Sequence, residues 1–146
     1  MKMDAYRCKK QLAIVWFLVA VVLGAVMMVQ SVLGHYGDKS GDAWSWLLPN
    51  LLPTLSLMIS VFAADAIAGD AGAGRTIDSF IFRLTFAVSV VYLGGVAASI
   101  FLSPLSTEGP IALMKTSNLW LGPMQGLTAA SLGIFFVKPQ KKANGS

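Results

Sequence analysis

Four blocks of apolar residues, at about 13–33, 46–67, 80–102 and 119–137, occupy most of the 146 residues, and they constrain the fold more tightly than any other feature. A helix rises about 1.5 Å per residue, so roughly 20 apolar residues cross the hydrocarbon core of a bilayer. Each block meets that length. Hydrophobic residues make up 55% of the chain and charged residues 12%, with a mean hydropathy of +0.68, which excludes an ordinary soluble domain and a separate soluble catalytic one. The expected fold is an all-α integral membrane protein, with residues 1–146 forming a single bundle of four transmembrane helices. Lys9 and Lys10 precede the first block as they would a secretory signal. That block, however, far exceeds a signal core of roughly 7 to 15 residues and no A-x-A site follows, so it reads as a retained span.

Orientation follows from the basic residues, which resist translocation. Lys2, Arg7, Lys9 and Lys10 precede the first block, Arg75 and Arg83 fall at the second turnaround, and Lys138, Lys141 and Lys142 follow the fourth. Only Lys39 and Lys115 lie at the opposite ends. This bias predicts both termini in the cytoplasm, as an even number of spans from a cytoplasmic start requires. Tyr36, Trp44, Trp46 and Trp120 sit where an aromatic belt would mark the outer headgroup layer. The net charge of +4 and pI near 9.4 are thus explained by topology, and the expected partner is the lipid bilayer rather than nucleic acid.

The loops are short and show no repeat, low-complexity run or charge block. Segment 103–117, apolar at 111–114, is expected to be an ordered loop covering the bundle. Segment 63–75 is nearly all Ala, Gly and Asp and reads as a turn fraying from the second helix. Its GDAGAGR string lacks the GxxxxGK[ST] spacing and a preceding strand, so it is no phosphate loop.

The second span reads WSWLLPNLLPTLSLMISVFAADA, with Pro49 and Pro53 one turn apart. Each proline removes a donor and frees a carbonyl, which predicts a bent or loosened outer half. On a helical wheel Pro49, Pro53, Ser56 and Ser60 form one stripe, with Asn50 and Thr54 at its edge; this suits either a polar path or a structural kink whose carbonyls Thr54 and Ser56 satisfy. Helices in lipid pack through small residues, and Gly94 and Gly95 on the third span and Gly122, Gly126 and Ala130 on the fourth mark expected packing faces. Arg83 lies about one turn inside the third span, where it is expected to snorkel or to pair with Asp65 or Asp78. The strings SNLWLGPMQGL and WLLPNLLPTLSLM are the most distinctive in the chain.

The residue inventory excludes several chemistries. None of the seven carboxylates lies deep in a span, which argues against proton-coupled export. A single histidine, His35, and a single cysteine, Cys8, cannot supply a bis-histidine haem, a CxxC pair or a metal cluster, and the methionines read as core packing. No nucleophile has a partnered base, so no enzyme, metal or cofactor is expected. The leading expectation is a small protein of the cell's inner (plasma) membrane that acts as an oligomeric pore, channel or membrane-perturbing subunit. Asn50, Pro53, Thr54, Ser56 and Ser60 would line the path, with Asp65 and Arg83 at its cytoplasmic mouth. Because one four-helix bundle hardly encloses a conduit, this requires a homo-oligomer. The alternatives are a non-catalytic scaffold that holds another membrane protein through its glycine faces, and a carrier for a small apolar or zwitterionic solute in a cavity opened by Pro49 and Pro53.

Overall fold

Backbone groups in hydrocarbon find no water to bond, so an apolar block that spans must close its hydrogen bonds within itself. The computed structural model of the chain, described for residues 2–67, 69 and 76–136, is accordingly about 88% helical. Its helices are α1 (Ala5–Val32), α2 (Ser40–Ile67), α3 (Ser79–Leu102) and α4 (Pro110–Phe136). All four are long and apolar enough to cross a membrane. Residues of the expected inner turn beyond Ile67, apart from Gly69, and Lys138, Lys141 and Lys142 lie outside the described residues.

α1, α2 and α4 begin well before their apolar blocks and α3 one residue before its own, and the first residues of each account for these starts. Asp4 precedes α1 and Asp78 precedes α3, and each carboxylate accepts a hydrogen bond from the backbone N–H two residues on, at 3.0 Å from Tyr6 and 2.9 Å from Phe80. Such a cap satisfies a donor that the helix itself cannot. A one-turn 3-10 helix, Gly37–Lys39, leads into α2 after Gly34 and Gly37 reverse the chain with φ of 73° and 52°. Pro110 opens α4, where its missing N–H costs nothing and its fixed φ suits the helix. The segment expected as a loop over 103–117 is therefore largely the start of α4; only a 3-10 turn, Ser103–Leu105, and the residues up to Gly109 remain outside a helix.

Hydropathy gave no hint of two short strands, β1 (Lys2–Asp4) and β2 (Thr76–Asp78), which pair antiparallel just before α1 and α3. Met3 faces Ile77 at the centre, while Lys2 faces Asp78 and Asp4 faces Thr76. The ladder is symmetric, because a step of 74 residues carries Lys2–Asp4 onto Thr76–Asp78. The same step carries Trp46, Leu47 and Pro49 onto Trp120, Leu121 and Pro123, and Thr54 onto Thr128. Burial follows it too: Ala43, Leu47, Thr54 and Met58 on α2 are matched by Ser117, Leu121, Thr128 and Leu132 on α4. The chain thus has two halves of like order, each a short strand followed by a helical hairpin, running in the same direction.

The core runs the length of the bundle, from Cys8 and Leu12 through Trp16, Met58 and Tyr92 to Met27, Ile100 and Met114. Trp16 stacks on Tyr92 with ring centroids 5.8 Å apart. Among the glycines expected to pack helices, Gly95 alone sits against another helix: a Cβ there would lie 2.6 Å from the Trp120 ring. Gly94, Gly122 and Gly126 have no atom within 4 Å of such a Cβ, and Ala130 is exposed. The expectation that these four pack helices within the chain is therefore corrected; the α3–α4 seam closes on Gly95 because a large ring needs a neighbour without a side chain. Gly95→Leu is expected to cost about 1–3 kcal/mol by overpacking and to be partly rescued by Trp120→Ala, whereas Gly126→Leu should be close to neutral. Thermal unfolding of the purified protein in detergent measures all three.

Candidate functional site

The site develops where α2 faces α4, and its origin is the pair of prolines. Pro53 has no N–H, so the carbonyl of Pro49, four residues earlier, loses its helical donor. The side chain of Gln125 on α4 supplies one instead, its Nε2 donating to that carbonyl at 3.0 Å. Pro49 in turn releases the carbonyl of Ser45. The helix nevertheless continues unbroken through both prolines, from Ser40 to Ile67. Thr54 and Ser56 were the expected partners for the freed carbonyls, and a donor from a different helix takes that role at Pro49.

Asn50 is buried and fully engaged. Its Nδ2 donates to the Trp46 carbonyl at 2.7 Å, and its carbonyl and Oδ1 both accept from the Tyr92 hydroxyl at 3.0 Å. Tyr92 and Gln125 thus fasten α2 to α3 and α4 at consecutive residues. Thr54 is also buried. Pro49, Pro53, Ser56 and Ser60 are exposed on the outer face of α2, where the Ser60 hydroxyl donates back to the Ser56 carbonyl at 2.8 Å. The residues expected to line one path therefore divide, with Asn50 and Thr54 turned into the bundle and Ser56 and Ser60 away from it.

Two adjoining hollows lie along the α2–α4 seam and share Gln125. The one nearer the helical turns, about 250 Å³, is lined by Ser45, Trp46, Pro49, Asn50, Asn118, Gly122 and Gln125. The deeper one, about 230 Å³, is lined by Pro53, Thr54, Leu57, Gln125, Ala129 and Leu132. Hydrogen-bonding side chains thus concentrate in the first, and aliphatic ones in the second. Trp46 is 6% exposed, and its indole N–H has no hydrogen-bond partner among the described residues. A buried donor without a partner costs about 1–3 kcal/mol, and the body of the Trp46 side chain forms part of the wall of the first hollow. Elsewhere in the core the indole N–H of Trp16 and the hydroxyls of Thr85 and Ser89 are also buried and unpartnered among the described residues.

At the end bearing the strands, the expected Arg83–Asp65 mouth is rearranged. Asp65 is buried and pairs with Lys9 of α1 at 3.2 Å, and Asp78 caps α3. Arg83 is exposed and meets no carboxylate among the described residues. The sequence signal for the Lys9 pairing was weak, since Lys9 is one of four basic residues before the first span. At the other end a cavity of about 550 Å³ opens between the two turns, lined in part by His35, Lys39, Glu108 and Lys115. Burial raises the phenol pKa of Tyr36 beside it, more than a hydrogen bond with Ser103 lowers it, and the hydroxyl donates to Gln30. Among the described residues no three His, Cys, Asp or Glu side chains gather to hold a metal.

Comparison with known proteins finds no matching family, no similar curated protein and no similar solved structure.

Lys9 and Asp65 are far apart in sequence and join α1 to α2 through a buried pair, so removing Asp65 leaves the buried Lys9 charge poorly compensated and removing Lys9 takes a buried contact from Asp65. Lys9→Met and Asp65→Leu should each lower stability, and the double variant should be more stable than the sum of the two predicts. A double-mutant cycle on thermal unfolding is expected to return a coupling of about 0.5–3 kcal/mol.

Proposed function

We propose that this chain is a multi-pass protein of the cell's inner (plasma) membrane, with both termini in the cytoplasm, that carries a small neutral or zwitterionic solute bound in the α2–α4 cleft. The observation behind the proposal is the gathering of hydrogen-bonding side chains, Ser45, Asn50, Asn118 and Gln125, around one hollow, beside the Ser45 carbonyl that Pro49 releases. Donors and acceptors are both present in it, and among its lining residues no side chain is charged. That composition suits a solute with no net charge that exchanges hydrogen bonds, while the aliphatic hollow beyond Gln125 takes an apolar portion.

The oligomeric pore is a second reading, favoured by the exposed Pro49–Pro53–Ser56–Ser60 stripe, which copies of the chain would bring together at an interface. The two readings part in one experiment. Protein in liposomes is given urea, glycerol or glycine, and uptake is followed by light scattering beside potassium flux. The carrier predicts saturable uptake, independent of membrane potential, whose half-saturation rises about three- to tenfold in Asn118→Leu through loss of one hydrogen bond. Uptake no greater than in protein-free liposomes overturns it. Potassium flux abolished by Ser56→Leu with Ser60→Leu establishes the pore in its place.

A further inference from the structure

At the end bearing the strands, α1 and α3 do not close completely, leaving a groove of about 360 Å³ lined by Gln11, Ile14, Val15, Phe82 and Phe86. Apart from Gln11 its lining is apolar, and it opens on the outside of the bundle. Three basic residues of this end flank the lining residues along the two helices. Arg7 and Lys10 lie one turn before Gln11 and Ile14 on the same face of α1, and Arg83 adjoins Phe82 and lies three residues before Phe86 on α3. All three are exposed, and none meets a carboxylate among the described residues, because Asp65 is held by Lys9 and Asp4 and Asp78 cap their helices.

We propose that this groove holds one anionic phospholipid of the adjoining leaflet, with an acyl chain against Phe82, Phe86, Ile14 and Val15 and its phosphate among Arg7, Lys10 and Arg83. Charge complementarity commits the site to that occupant: three cations that meet no carboxylate among the described residues stand above a floor that offers a chain only apolar contact. The carboxamide of Gln11 sits between the two parts, at the level of the glycerol esters, where it can donate to an ester carbonyl. The proposal rests on insertion of the four helices in a membrane and is independent of the α2–α4 cleft.

The test is native mass spectrometry of the protein released from mixed phosphatidylglycerol and phosphatidylcholine vesicles. One phosphatidylglycerol should be retained in preference to phosphatidylcholine. Since a basic residue at an anionic surface is worth about fivefold in affinity, Lys10→Gln with Arg83→Gln should reduce that preference by at least about fivefold. Phe86→Trp, which fills the groove, should lower retention of both lipids at that site. The same charge change at the other end, Lys39→Gln with Lys115→Gln, should leave the preference intact. Equal retention of the two lipids by the wild type overturns the proposal, and so does an equal loss of preference in both pairs of variants, which would mark a response to net charge alone. Glycerol 3-phosphate retained as well as the lipid would show a free-phosphate site and overturn it too.

Discussion

The bundle depends on how α2 satisfies its backbone. A helix in lipid can carry prolines only if neighbours supply the hydrogen bonds they remove, and here Gln125 reaches across from α4 to the carbonyl released by Pro53. Beside it the Tyr92 hydroxyl is spent on Asn50. The bonds come from two other helices and fall at adjacent residues, so α2 is held in rotation as well as in height. This placement also makes the cleft. Side chains that approach to bond a backbone at 3.0 Å keep the aliphatic packing apart on either side of them, and the two hollows sharing Gln125 lie there.

The cleft lies between α2 and α4, which correspond in the two halves at a step of 74 residues. Their polar positions differ. Asn50 stands where α4 has Met124, and Gln125 where α2 has Leu51. Pro53 corresponds to Leu127, so the carbonyl that Gln125 bonds is freed in one unit only. Each unit therefore supplies part of a polar arrangement that neither contains alone. The outer helices have diverged in another way. Leu12, Trp16, Leu23 and Met27 of α1 match Thr85, Ser89, Val96 and Ile100 of α3 in burial at a step of 73 rather than 74. One residue is about 100° of helix rotation. This turn separates the buried faces of two otherwise corresponding helices, and brings Gly95 against Trp120.

Much of the fold was legible in the sequence, because span length is fixed by bilayer thickness and four apolar blocks admit few arrangements. The starts of α1, α2 and α4 were not, since a hydropathy window cannot register Asp4 as a cap or Pro110 as a first helical residue. The strand pair was hidden for the same reason, each strand being three residues of mixed polarity. The repeat had a visible signal in Trp46-Leu-Leu-Pro49 against Trp120-Leu-Gly-Pro123. Of the candidate site, the wheel correctly grouped Pro49, Pro53, Ser56 and Ser60 as one stripe, but periodicity cannot say whether a stripe faces helices or lipid. The role of Gln125 was out of reach because its partner is a carbonyl on another helix. Among the expected packing glycines, only Gly95 meets a large ring, and spacing alone does not separate it from Gly94 or Gly126.

The same divergence accounts for the charges at the strand end. Lys9 and Arg83 correspond in sequence at the 74-residue step, but the buried faces of α1 and α3 correspond at a step of 73, which puts Phe82 rather than Arg83 on the face that matches Lys9. Lys9 is buried in an ion pair between α1 and α2, where its charge is spent on the fold. Arg83 keeps its charge and its exposure. A cation fixed by a carboxylate has little left to offer a third group, whereas an exposed one beside an apolar groove is open to an anion. A one-residue difference in how α1 and α3 face the core thus separates a cation used in the fold from one at the surface.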